Sequence, residues 1–278
     1  MRSDSIDTDK YADKIARYTM MDNAFMNAVF QNNLPAVQCL VSAIITDREL
    51  EVVSFTIQKH MENLYGHSTT MDIYAKDQDG ALYDIEIQQD LRGAHPLRLR
   101  YYSSLIDVNT LENAEEYKKL PEKYVIFITD GDWYKKDMEL HHFTMQSVGE
   151  DPQIDCGDKQ HYIFIDVNSK SDTDLGRVLH DIREPDPNKM YNEELATRAK
   201  HLKISQEGRK EMTTVTEEII EEGRIEGRAE GRAEGKLESI TNAAKYLKKE
   251  STKSTVVKQL MGIFGLTESE AQKYYDAA

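Results

Sequence analysis

The sequence predicts an α/β layer domain followed by an extended α-helical tail. Three features point there: five strand-like runs between residues 51 and 167, a long helical run between the third and fourth of them, and a change after Pro185 to helical and low-complexity sequence. A chain of 278 residues holds one well-buried core of ordinary domain size plus an appendage. Its 39% hydrophobic and 31% charged residues fit a soluble globular protein with one highly charged segment.

Taken in order, the polar start gives way to TMMDNAFMNAVFQNNLPAVQCLVSAII, with Phe25, Val29, Val37 and Leu40 at helical spacing. Asn33 and Pro35 interrupt it, so two short helices with a turn between them are expected. Next come EVVSFTIQ, TTMDIYAK and ALYDIEIQ, then a helix from about Leu97 to Lys119, then the strand-like KYVIFITD and HYIFIDV. Residues 1–184 are read as the catalytic-sized domain and 185–238 as a helical linker. In that linker Gly223, Gly227, Gly231 and Gly235 recur every fourth residue among Glu and Arg. Such a repeat predicts a long solvated helix, although each glycine costs about 1 kcal/mol relative to alanine. It serves as a plain spacer, or as a seam for homo-oligomers formed through the C-terminal helices. Residues 239–278 break at Gly265-Leu266-Thr267, and Thr267 with Glu270 fits a capping box, which predicts a small helical hairpin.

Cys39 and Cys156 are the two cysteines, and they support neither a disulfide framework nor a zinc site of the usual spacing. The polar N-terminus and the lack of roughly 18 consecutive apolar residues point to a cytoplasmic protein without a membrane span. A net charge of −15 argues against nonspecific coating of nucleic acid. Two local clusters, Arg92, His95, Arg98, Arg100 and Arg198, Lys200, Lys203, are the available basic patches.

The chemistry lies in MDIYAKDQDGALYDIEIQQ, residues 71–89. Asp79-Gly80 is a turn signal between two alternating runs, hence a β-hairpin. Met71, Ile73 and Ala75 are expected on one face, with Asp72, Tyr74 and Lys76 on the other; Asp84, Glu86 and Gln88 continue the polar face. A loop of Gln78 to Gly80 sets Asp72 opposite Glu86, with Cβ atoms about 4.5–5.5 Å apart. Two like charges so close repel, and a divalent cation between them turns repulsion into binding; hard oxygen ligands suit Mg2+ or Mn2+. An ordinary amphipathic hairpin with a wet polar face shows the same alternation, and a slip of one residue separates the carboxylates.

Asp22-Asn23-Ala24-Phe25, then Asp72, then Glu86-Ile87-Gln88, then Arg98 and Tyr102 in RLRYYSSL form a series that resembles the PD-(D/E)XK nucleases of the recombination-promoting nuclease and transposase group. The resemblance covers about residues 18–167 together with the glycine-and-charge repeat. It implies a restriction-endonuclease-like central mixed sheet flanked by helices, and metal-dependent cleavage of DNA. Asp72 and Glu86 would be metal ligands, and Gln88 stands where most relatives have lysine. Glutamine is neither a base nor a cation, so its implied role is to orient the attacking water, which leaves the source of positive charge open. Arg98, one turn before Tyr102, would contact a phosphate, with Tyr102 beside it. Asp22 has two readings, a third metal ligand or the cap of the helix starting at Asn23.

Other motifs carry less. His141 and His142 are adjacent on a strand and face opposite ways, a poor metal pair. Asp130-Gly131-Asp132-Trp133 reads as a turn after a buried strand. The rival function is a nonenzymatic scaffold that keeps the nuclease fold and binds a protein partner through its acidic surface and tail.

Overall fold

The computed structural model describes residues 11–63, 66–112, 114–149, 152–249 and 251–277, without the side chains at 218, 219, 221–234 and 236. The chain forms two compact units, the first ending at Thr216 and the second beginning at Glu217.

The first unit is built on a mixed six-strand sheet in the order β1-β2-β3-β4-β6-β5. Strands β1 (Val52–Met61), β2 (Thr69–Asp77) and β3 (Leu82–Gln88) form an antiparallel meander. β4 (Lys123–Thr129) and β6 (Gln160–Asp166) run parallel to β3, and β5 (Leu140–Phe143) closes the far edge antiparallel to β6. All seven residues of β4 are buried, as its continuous apolar run requires in a strand covered on both faces.

Alternate residues of β3, β4 and β6 enter two separate cores. Ile85, Ile126 and Ile163 face the helices α2 (Asn23–Phe30), α3 (Leu34–Ile44) and α5 (Asp174–Arg183), while Val125, Phe127 and Phe164 face α4 (Pro96–Thr110). A short helix, α1 (Ala12–Arg17), adds Ile15 to the first core. The turn expected at Asn33 is there: the side chain of Asn33 caps α3 by accepting from the amide of Ala36, and Pro35 sits in the first turn.

Three expectations are corrected. Helix α4 stops at Thr110 instead of running to Lys119, and a short 3-10 turn follows at Tyr117–Lys119. The first unit extends past residue 184, because α6 (Glu193–Ile204) is part of it: Leu195, Ala199 and Leu202 are buried in the first core, and Met212 of α7 (Gln206–Leu247) joins them. Lastly, Met71 does not share a face with Ile73 and Ala75, since it packs with Met61 and Leu99 in the α4 core.

The second unit holds the end of α7, α8 (Lys253–Phe264) and α9 (Glu268–Ala277) around Ile240, Ala244, Val256, Leu260 and Ala271. Gly265 ends α8 with a φ of 65°, a left-handed conformation that glycine adopts without strain. The capping box forms as expected: Glu270 accepts from the Thr267 amide at 2.8 Å, and the Thr267 hydroxyl accepts from the Glu270 amide at 3.3 Å. The first three glycines of the repeat lie outside the described side chains. Among the described residues no helix is long and apolar enough to cross a membrane.

Candidate active site

The hairpin of β2 and β3 has the register its sequence demands. Ile73 pairs with Ile85, and Lys76 with Leu82. Three residues, Gln78 to Gly80, turn the chain; Gly80 has a φ of 87°, and Asp77 Oδ1 accepts the amides of Asp79 and Ala81. Three residues beyond the turn-proximal pair of Lys76 and Leu82 the ladder ends at Ile73 and Ile85, and the strands part. Carrying the same register one step further brings Asp72 to Glu86.

At this fork the two carboxylates replace the ladder. The Asp72 amide donates to Glu86 Oε1 at 2.9 Å, and the Ile87 amide donates to Asp72 Oδ2 at 3.1 Å. Each acid is thereby fixed by its neighbour's main chain, which keeps the two carboxyl groups adjacent and oriented. At Asp84 and Glu86 the polar face is not wet. Glu86 and Asp84 are both 0% exposed, because α4 lies over them with Leu99, Tyr102 and Leu105. Burial, then the charge of Asp72, pushes the Glu86 carboxyl up to about 8, and burial raises Asp72 as well. Asp84 stands well above the usual carboxylate range for the same first reason, and neither of its oxygens has a hydrogen-bond partner.

Arg98 reaches the site from the first turns of α4. Its guanidinium donates to Glu86 Oε2 at 2.9 Å, Gln88 Oε1 at 3.2 Å, the Gly93 carbonyl at 2.9 Å and the Tyr102 hydroxyl at 2.9 Å. Gln88 in turn donates to Glu86 Oε2 at 3.3 Å, so its amide touches both the acid and the arginine. Gly93 leaves room for this arrangement; a Cβ there would lie 2.9 Å from Gln88 Oε1. Tyr102 is buried, 5% exposed, with its hydroxyl against Arg98.

Asp22 is not gathered into one cluster with Asp72 and Glu86. It occupies the cap position of α2 but makes no side-chain cap bond; its oxygens accept from the Thr19 amide at 2.8 Å and from Gln89 at 3.3 Å. The cap reading of Asp22 is therefore not met by its side-chain contacts. Among the described residues no group of three or more His, Cys, Asp or Glu side chains converges on a metal position.

Sequence reasoning missed Gln58. It donates to Asp72 Oδ1 at 3.0 Å and to Asn27 Oδ1 of α2 at 3.2 Å, from a left-handed backbone with φ of 54°. Nothing in SFTIQKHM marks it. The second basic cluster is used inside the fold: Arg198 bonds the Ala28 carbonyl and Glu211, and Lys203 bonds the Tyr18 and Pro185 carbonyls. His141 and His142 take different partners, Asp132 at 2.8 Å and His161 at 2.9 Å, as a strand's opposite faces require.

A family model described as PD-(D/E)XK nuclease family transposase matches residues 21–221. That span takes in the sheet, both acids, Arg98 and α6, and the mixed sheet with flanking helices is a restriction-endonuclease-like α/β fold. No curated protein and no solved structure gives a significant match.

Proposed function

The chain belongs to the PD-(D/E)XK nuclease family transposases, and from that premise we propose that it is a metal-dependent DNA endonuclease whose site is the fork of β2 and β3. One observation carries the reading: two carboxyl groups, Asp72 and Glu86, are held side by side in a largely buried fork, where burial and the charge of Asp72 keep a proton on Glu86 that a cation would replace.

The donor set fits a divalent cation. Asp72 and Glu86 offer hard oxygens, and two carboxylates with water and phosphate oxygens filling the other positions are the usual surroundings of Mg2+. When bound, such a cation polarises a phosphoryl oxygen and lowers the pKa of a water, the two operations that phosphodiester hydrolysis needs.

The remaining chemistry falls to the chain's own side chains. Gln88, beside Glu86, orients the attacking water through its amide, since it can neither take a proton nor carry charge. Arg98 supplies the positive charge that a glutamine at position 88 lacks. Its guanidinium is 31% exposed, which leaves it open to a phosphate while the buried Glu86 anchors it. Tyr102 holds the guanidinium from behind. Arg98 thus takes the phosphate-contact role and Tyr102 a positioning role.

Supercoiled plasmid incubated with Mg2+ or Mn2+ tests this, beside Asp72→Ala, Glu86→Ala and an EDTA control. Nicking that both substitutions and EDTA abolish supports the nuclease. Absence of nicking together with absence of metal binding by calorimetry replaces it with a protein-binding scaffold that keeps the nuclease fold.

A further inference from the structure

We infer that Gln58, on β1, is a positioning residue of this site: it fixes the direction of the Asp72 carboxylate and ties it to helix α2. The inference rests on the nuclease reading of Asp72 and Glu86 and goes beyond it, because nothing in the acid motif involves β1.

Register puts Gln58 where such a role requires. Ile57 pairs with Ile73 and Lys59 with Met71, so Gln58 falls opposite Asp72, as Asp72 falls opposite Glu86. One row of side chains therefore crosses three adjacent strands, Gln58, Asp72 and Glu86. Each Asp72 oxygen has one clamp: Oδ2 takes the Ile87 amide, and Oδ1 takes the Gln58 amide nitrogen at 3.0 Å. The second hydrogen on that nitrogen goes to Asn27 Oδ1 at 3.2 Å, with Asn23 Oδ1 at 3.4 Å, so α2 holds Gln58 in turn.

Backbone geometry gives independent support. Gln58 has a φ of 54°, and a long side chain in the left-handed region is disfavoured at every position except where the surroundings impose it. The alternation of the strand changes at this residue as well. Ile57 packs in the first core and Met61 in the α4 core, just as Ile73 and Met71 divide on the facing strand. A glycine or asparagine would adopt this backbone more readily. Glycine carries no amide and that of asparagine is one methylene shorter, so the bond to Asp72 is made by a residue without local preference for this backbone.

Carboxylates that face a metal lose affinity by roughly 10- to 100-fold when the group orienting them is removed. Gln58→Gly removes the amide and relieves the backbone together, and Gln58→Asn keeps an amide one methylene too short on a backbone it tolerates. In the full-length protein, both variants are compared with wild type by thermal melting, Mn2+ calorimetry and plasmid nicking. The expected result is that both melt no lower than wild type while Mn2+ affinity and nicking fall by roughly tenfold or more. That opposition of sign distinguishes positioning from a structural role, which would lower melting temperature and activity together. Wild-type affinity and nicking in both variants overturn this inference alone, as does a melting loss that accounts for the activity loss. A wild-type protein that neither binds Mn2+ nor nicks overturns the nuclease reading and this inference with it.

Discussion

Arg98 and Glu86 form an ion pair of 2.9 Å in which the carboxylate is buried and the guanidinium is 31% exposed. That asymmetry lets Arg98 balance the charge of the fork from its solvent side without sealing it. The same guanidinium bonds Gln88, Gly93 and Tyr102, so three further groups set its plane.

Removing Arg98 should therefore affect both stability and catalysis. Arg98→Ala leaves Glu86 buried without its partner, and the expected loss is about 1–3 kcal/mol, less than for a fully buried pair because solvent reaches the guanidinium. Nicking should fall by about 100-fold or more. Arg98→Lys should not restore it, since one ammonium cannot meet four acceptors set around a planar fork. Denaturant melts and plasmid nicking on both variants check this, and near-wild-type nicking by the lysine variant would sink it.

On the proposed reading, Glu86 should make metal binding and metal-free stability move oppositely with pH. Its carboxyl rises from 4.5 to about 8 on folding, chiefly through burial, so the folded state holds an extra proton between those values. Stability from that proton is complete below 4.5, declines as pH rises, and is gone above about 8. Metal binding must displace the same proton, so Mn2+ affinity should climb about tenfold per pH unit up to about pH 8 and then level. Glu86→Gln cannot titrate; in EDTA its melting temperature relative to wild type should rise as pH passes from 6 to 9. A flat difference across that range would show that the carboxyl is not raised.

The hairpin was legible because its alternation and its Asp-Gly turn allow few registers, and the one that opposes Asp72 and Glu86 is the one adopted. What covers the polar face was not. A period-two pattern records which side chains share a face, not that α4 will lie over Asp84 and Glu86 and bury them. Gln58 was illegible for a different reason: its left-handed φ is imposed by partners 14 and 31 residues away, Asp72 and Asn27, while its own neighbours read as plain strand. Likewise α6 looked like linker because its apolar stripe is short, and only the buried Leu195, Ala199 and Leu202 tie it to the core.

Tyr102 separates positioning from substrate contact. Its hydroxyl accepts from Arg98 Nε at 2.9 Å, and its ring is buried against Phe127 at a centroid distance of 6.4 Å. Tyr102→Phe keeps the ring and removes the hydroxyl's bonds to the guanidinium and to Thr69, a change of about 1–2 kcal/mol. The nicking rate at saturating plasmid should fall by roughly tenfold or less, with the apparent KM unchanged. A raised KM at constant rate would instead place the hydroxyl against DNA.

Asp84 tests how far the site has been kept at the expense of the fold. Both its oxygens are buried without a partner, and burial first, then the charges of Glu86 and Asp72, holds its carboxyl well above the usual range. A neutral acid in that position still leaves polar atoms unsatisfied, which costs about 1–3 kcal/mol relative to an apolar group of similar shape. Its raised folded value carries a sign: the contribution is most favourable below the ordinary carboxyl value of 3.8 and is lost progressively as pH rises. Asp84→Val, matched to a strand position whose parallel neighbour is Val125, should therefore raise stability, and by more at pH 9 than at pH 5. Thermal melts in EDTA at the two values decide the matter. A valine variant that melts lower at both would mean that Asp84 has a partner that its surroundings require.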